Sequence, residues 1–304
     1  MPTALTHYID SVKYNLRLDS YKEQEFINEL ETHIEDELQE LKATGLSEEE
    51  AANSCVRLLG SARLVAHRIY EAHSQGTWRQ TLLAAIPHLL FGLLFLFNWW
   101  QNISWLLITL GLIAITVVYG WCHGKPTWLF PWLGYSLLPV VIASLSFLCL
   151  PKVWSWLAII LYIPLASWLL YSVSVQTMKS DWLYSALMLM PLPAIIGWFL
   201  AIHFKGRFLE FSLQYLHDFA PWIGMSFLAL ALAVVMFMRF RQRWLKVAVL
   251  FLAGLITLTM VAFYAGGVLG LLTFLILTLV MLEIFLAPAL LEGKIRYSGH
   301  RTST

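Results

Sequence analysis

Two ionisable residues fall inside long apolar stretches, and they are the first candidates for chemistry. Glu283 stands in Met281-Leu282-Glu283-Ile284-Phe285, and His88 follows Pro87. Ionisable side chains are costly at membrane depth, and those found there mark relays, ion paths or polar links between helices. A carboxyl in that setting can relay a proton or donate a hydrogen bond, with His88 as its titratable partner in the bundle. It can equally lock two helices by bonding a backbone carbonyl or a hydroxyl. Pro139, Pro164, Pro191 and Pro193 lie in neighbouring apolar stretches, where each removes a backbone donor and frees a carbonyl. With Tyr135, Tyr162 and Tyr171 beside them, these prolines mark the expected lining of any polar cavity. Plain helix curvature would explain the same prolines.

Other groupings carry less. His33 and Asp36 lie one helical turn apart, a spacing open to a metal or a proton, though an exposed pair on a highly charged helix accounts for it. His203, Glu210, His217 and Asp218 match no ligand signature and read as solvated side chains. Cys55, Cys122 and Cys149 are scattered and odd in number, so they form neither a disulfide framework nor a CxxC site and read as small buried hydrophobes. The sequence holds no Walker A, GxSxG, HExxH, haem-attachment or dinucleotide motif. No catalytic residue, metal or cofactor is therefore expected.

The elements that must position these residues follow from composition. Of 304 residues, 59% are hydrophobic and 13% charged, against roughly 45–50% and about 25% in a soluble domain. That balance excludes an ordinary soluble enzyme, a disordered regulator and a direct nucleic-acid binder. The net charge of +1 averages two unlike parts. Residues 1–78 hold 14 acidic and 7 basic residues, a net −7, and residues 79–304 hold 5 acidic and 13 basic ones, a net +8. The first part contains no apolar h-region, so no cleavable signal is expected and the first span should act as an anchor.

From residue 79, stretches of about 20 apolar residues recur, the length that crosses a hydrocarbon core. The expected spans are 80–100, 103–122, 128–150, 153–175, 182–202, 220–239, 244–266 and 268–290. Eight spans return both termini to one side. That side carries Lys125, Lys179, Arg239, Arg241, Arg243, Lys246, Lys294, Arg296 and Arg301, and the opposite side only Lys152, Lys205 and Arg207. The positive-inside rule then expects both termini in the cytoplasm. Trp99, Trp105, Trp121 and Trp244 are among the tryptophans at expected span ends, where an amphipathic ring prefers the headgroup level. Between spans five and six, Phe204, Phe208, Phe211, Tyr215 and Phe219 recur at helical spacing, so 203–219 is expected to form an amphipathic helix on the outer face. Pro131-Trp132-Leu133-Gly134-Tyr135-Ser136 returns as Pro221-Trp222-Ile223-Gly224-Met225-Ser226 after 90 residues. An offset of three spans would suit an inverted repeat, although so short a match also arises by chance.

The acidic prefix reads as short helices. The longest is expected from about Ser20 to Thr44, with Phe26, Ile27, Leu30, Ile34, Leu38 and Leu41 on one stripe and acidic residues on the rest. Ser47 with Glu50 has capping-box spacing before 51–59, and a further helix is expected over 61–72. The segments Glu29-Leu30-Glu31-Thr32-His33-Ile34-Glu35-Asp36, Gly45-Leu46-Ser47-Glu48-Glu49-Glu50-Ala51 and Leu59-Gly60-Ser61-Ala62 together resemble the HAAS, or permease-prefix, domain of bacterial membrane proteins. The resemblance covers about residues 5–74. Ser61-Ala62 departs from the Asp-Pro that commonly follows the Leu-Gly in that family. It implies a cytoplasmic module that contacts a PadR-type regulator or a transporter subunit, through a face here containing Glu29, His33, Asp36 and Glu37.

The expectation is thus an all-α, multi-pass protein of the bacterial inner membrane, with about eight transmembrane helices after a small soluble helical domain. Its leading function is regulatory or sensory, with the bilayer and a cytoplasmic protein as partners and a homo- or hetero-oligomer open. The alternatives are a transporter or transporter subunit using spans three to five and Glu283, and a structural anchor for a complex.

Overall fold

The computed structural model describes residues 2–16, 20–124, 126–137, 164, 181–205, 213–265, 274–279 and 281–283. Among them all regular structure is helical, without a strand. The chain divides into two compact units. The first takes in Met1–Gln75 together with Arg241–Arg243, and the second Gly76–Phe240 with Trp244–Ile295.

Among the described residues four helices build the first unit: α1 (Thr3–Asn15), α2 (Ser20–Ala43), α3 (Glu48–Leu59) and α4 (Ala62–His73). Each contributes apolar positions three, four or seven residues apart to one core. These are Leu5, Ile9 and Val12 from α1, Ile27, Ile34 and Leu38 from α2, Ala51 and Cys55 from α3, and Ala66 and Tyr70 from α4. Gly45 and Gly60 take positive φ values of 95° and 79° where α2 and α3 end, a backbone region that costs glycine nothing.

The capping box forms as the spacing predicts. The Ser47 hydroxyl accepts from the Glu50 N–H at 3.4 Å, and the Glu50 carboxylate accepts from the Ser47 N–H at 3.1 Å. Helix α3 therefore starts at Glu48, three residues before the apolar stripe begins. The hydrogen bonds from the Ser47 side chain and backbone hold the Glu50 carboxyl below the usual carboxylate range. A depressed native value means that this stabilisation is complete above the unfolded value and is lost as pH falls through the native one. Ser47→Ala should cost about 1 kcal/mol of α3 stability. Faster amide hydrogen exchange over 48–59 at neutral pH, with the gap to wild type closing as Glu50 protonates, is the expected result.

Among the described residues of the second unit, five helices are long and apolar enough to cross a membrane, as a multi-pass membrane protein requires: Trp78–Leu96, Ile103–Cys122, Trp182–Ile202, Leu216–Arg239 and Arg243–Tyr264. They match the expected first, second, fifth, sixth and seventh spans. The expected spans at 128–150, 153–175 and 268–290 lie wholly or partly outside the described residues; within them 129–137, Pro164, 274–279 and 281–283 are helical. Here α5 is Trp78–Leu96, α6 Ile103–Cys122, α7 Trp182–Leu189, α8 Pro191–Lys205, α9 Leu213–Arg239 and α10 Arg243–Ala265. Helix α6 leaves Ile103, Leu107, Ile108, Ile115 and Val118 exposed, the surface lipid would cover. Trp99, Trp105, Trp121 and Trp244 are exposed at helix ends, in keeping with interfacial placement.

Three boundaries differ from the sequence expectation, each for a local reason. Helix α5 stops at Leu96, four residues early, because Asn98 turns into the left-handed region (φ 55°) and starts a 3-10 turn over Trp99–Gln101. It also starts two residues early, since Thr77 and Gln80 form a second capping box. On the other side, residues 206–212 lie outside the described ones, but 213–219 are not a separate surface helix. They open α9, which continues through Pro221 to Arg239. Phe219 is buried and packs on Trp198 at 5.6 Å between ring centres, in line with the inward stripe Ile223, Phe227, Leu230, Val234 and Phe237.

Among the described helices α5 and α9 make the most extensive pairing. At its closest point, a Cβ added to Gly224 would lie 2.9 Å from the Gly92 carbonyl oxygen and 2.7 Å from Leu96 Cγ. Small residues let membrane helices approach this closely and gain dispersion contacts over the full backbone surface. Gly134 serves the same end, with a Cβ there falling on the Met188 carbonyl oxygen of α7. The shared glycine of the two Pro-Trp-x-Gly-x-Ser segments thus has a packing cause in both places. Their tryptophans diverge: Trp132 donates a hydrogen bond, and Trp222 stacks on Tyr264 at 3.4 Å.

Candidate functional site

The site begins with a missing hydrogen bond. Pro87, inside α5, has no N–H and leaves the carbonyl of Leu83, four residues earlier, without its helical donor. The indole Nε1 of Trp132 donates to that carbonyl at 2.8 Å. A freed carbonyl in an apolar interior costs more than one kept bonded, so the contact seats the helical segment 129–137 on α5. One turn further along each element, Tyr135 then meets His88, edge to face at 4.9 Å between ring centres and 82° between planes. Phe91 lies 4.7 Å from Tyr135, and Phe227 of α9 lies 5.9 Å from it, which encloses the pair in aromatic surface.

His88 and Tyr135 are both fully buried. Among the described residues, neither ring nitrogen of His88 nor the Tyr135 hydroxyl has a hydrogen-bond partner. The Ser185 hydroxyl, buried on α7 one turn before Met188, is in the same condition. A buried polar group in that state costs about 1–3 kcal/mol, so three of them call for a functional reason. The imidazole can donate and accept, and the phenol and alcohol can each do both. His88 and Tyr135, which are in contact, offer polar groups to a small polar molecule or a proton, and no described carboxylate supplies a counter-charge at His88.

The other sequence candidates are placed as follows. Glu283 is exposed on its helix, and no hydrogen bond joins it to His88 among the described residues. His88 is paired with Tyr135 instead. Pro164 is helical and exposed, which does not suit a cavity wall. Pro191 and Pro193 are buried, but they occupy the first turn of α8, where N–H groups lack helical partners in any case. They stand where the span Trp182–Ile202 is interrupted, at Met190 between α7 and α8. Pro139, Tyr162 and Tyr171 lie outside the described residues. In the prefix, Glu29, His33 and Asp36 are exposed, on one stripe with Glu25 and Glu40. Glu37 departs from that face. It is half-buried, and after burial itself its carboxylate is the second cause that pushes the Cys55 thiol above its usual value.

Cys55 is buried as expected, whereas Cys122 is exposed. Among the described residues no three His, Cys, Asp or Glu side chains are arranged to hold a metal. His217 of the expected outer cluster instead lies 3.2 Å, Nδ1 to Nε2, from Gln101.

Several polar residues of the core have roles that the sequence reading does not assign. Trp198 donates to the Ser226 hydroxyl at 3.1 Å, and that hydroxyl donates to the Trp222 carbonyl at 2.9 Å, linking α8 to α9. Lys246 is 1% exposed, with its ammonium 5.3 Å from the centre of the Phe237 ring. Asp181, also 1% exposed, caps α7 by accepting from Leu183 N at 3.2 Å. The signals were present: Lys246 falls inside the expected span 244–266, and Asp181 immediately precedes an apolar helix. No protein-family model matches this sequence, and no curated protein or solved structure matches it either.

Proposed function

We propose that this is a regulatory or sensory protein of the bacterial inner membrane, whose amino-terminal helices contact a cytoplasmic partner. In this reading eight spans place both termini in the cytoplasm, and the partner is a PadR-type regulator or a transporter subunit, as the prefix resemblance implies. The observation that carries it is the exposed stripe Glu25, Glu29, His33, Asp36 and Glu40 on α2, backed by a core of its own in the first unit. Four carboxylates in one row select a partner with a basic surface, so capture should weaken as salt rises. Converting Glu29 and Asp36 to lysine should abolish capture without disturbing the buried stripe of α2; unchanged capture would refute the assignment of this face.

A second reading, a transporter or transporter subunit, is favoured by the buried polar pair His88 and Tyr135. It predicts solute flux in reconstituted vesicles that His88→Leu abolishes.

Orientation has its own test in the native cysteines. On a Cys149→Ser background, a membrane-impermeant maleimide should leave Cys122 unmodified in intact cells and label it after permeabilisation. Cys55 should stay slow throughout, because burial and Glu37 raise its thiol. Fast labelling of Cys122 in intact cells would invert the topology.

A further inference from the structure

The first unit is acidic in sum, yet one of its hollows is basic. A cavity of about 560 Å³ is lined by Arg63, His67 and Arg243 with Asn15, Ser61 and Tyr70, all in the first unit. No carboxylate is among the described lining residues. Among the described residues Arg63 has no ion pair, and it is exposed, so its guanidinium can turn into the hollow. Arg243 is held over the Tyr70 ring, 5.7 Å from its centre, which orients its planar fork at little entropic cost. His67 reaches Glu71 at 3.5 Å on the next turn, outside the lining. The hydroxyl of Ser61 stands at the start of α4 without capping it, and the first turn of α4 contains no acid. Among the described lining residues two guanidiniums, an imidazole and a hydroxyl, beside the Asn15 amide that donates one of its hydrogens to the Ser11 carbonyl at 2.7 Å, form the donor set of an oxyanion site, and guanidinium forks match phosphate in particular.

We propose that this cavity binds a phosphate-bearing anion, either the headgroup of an anionic phospholipid or a small soluble phosphate compound. Arg243 opens a helix long enough to cross a membrane, which puts phospholipid headgroups within its reach. The site stands apart from the partner reading, since it uses α4 and Arg243 while that reading uses the outer stripe of α2. Phosphate binding can be present whether or not α2 recruits a protein.

The test uses the full chain in zwitterionic detergent, with exchange of the 61–70 amides read by mass spectrometry. The probes are inorganic phosphate, phosphatidylglycerol in mixed micelles, and phosphatidylcholine as the uncharged comparison. Wild type should slow at 61–70 with phosphatidylglycerol, with phosphate, or with both, at least tenfold more than with phosphatidylcholine. Protection by the lipid alone identifies a headgroup site, and protection by inorganic phosphate identifies a site for soluble phosphates. Arg63→Gln, an exposed change that leaves the core intact, should weaken the effect about tenfold, and Arg63→Gln with Arg243→Gln should remove it. Arg57→Gln, an exposed arginine outside the cavity, should leave it unchanged. The proposal is overturned if neither probe protects 61–70 in wild type, or if Arg63→Gln and Arg57→Gln behave alike.

Discussion

Replacing His88 by leucine should raise the stability of the protein, by about 1–3 kcal/mol, the cost of leaving a buried polar group without a partner. His88 is fully buried, its neighbours are the rings of Tyr135 and Phe91, and neither nitrogen is bonded among the described residues. Leucine fills a similar volume and carries no polar atom, so the substitution removes a desolvation cost and keeps most of the packing. Functional positions commonly cost stability in this way. The regulatory output, or flux under the transporter reading, should therefore be lost in the same variant. Thermal unfolding in detergent checks the first half. A fall of several degrees would show that His88 is a structural member of the core, and the site would lose its functional meaning.

The second large effect has the opposite sign. Gly134→Val should destabilise the bundle by about 3 kcal/mol, the upper end for overpacking, because the obstructing atom is the backbone carbonyl oxygen of Met188 and cannot rotate away. The segment 129–137 would have to move off α7, drawing Tyr135 from His88 and Trp132 from the Leu83 carbonyl. Loss of monodisperse protein on extraction, together with a shifted tryptophan emission, is the expected signature. Gly111→Val is the control: nothing lies within 4 Å of a Cβ at Gly111, so the added bulk should be tolerated there. Equal behaviour of the two variants would mean that the segment does not pack as described.

The fold could be read from the sequence wherever one physical effect dominates. Apolar runs of span length gave the five long helices, and the Ser47–Glu50 spacing gave the start of α3, since both are local. The prefix core stripe was equally plain, because 3.6-residue periodicity leaves Ile27, Ile34 and Leu38 no other use. The candidate site was read only in part. His88 stands out as an ionisable residue in an apolar run, but its neighbour depends on how 129–137 docks. Docking is set by a carbonyl that Pro87 frees and by the hydrogen-sized side chain of Gly134. Neither effect shows as periodicity, so Tyr135 entered only as a cavity-lining residue and Glu283 took its place as the partner. Glu37 was misplaced for a related reason. In sequence it belongs to a run of acids, but the helical angle between Glu37 and Asp36 turns it toward α3.

The central claim is that the first unit is a contact module that can be separated from the bundle. It is tested most directly by affinity capture from membranes with the full chain and with a chain lacking residues 2–74, both verified to be inserted. The account predicts that the full chain captures a discrete basic cytoplasmic protein in a salt-sensitive way, and that the truncated chain captures none of it. Recovery of the same proteins by both chains would contradict it.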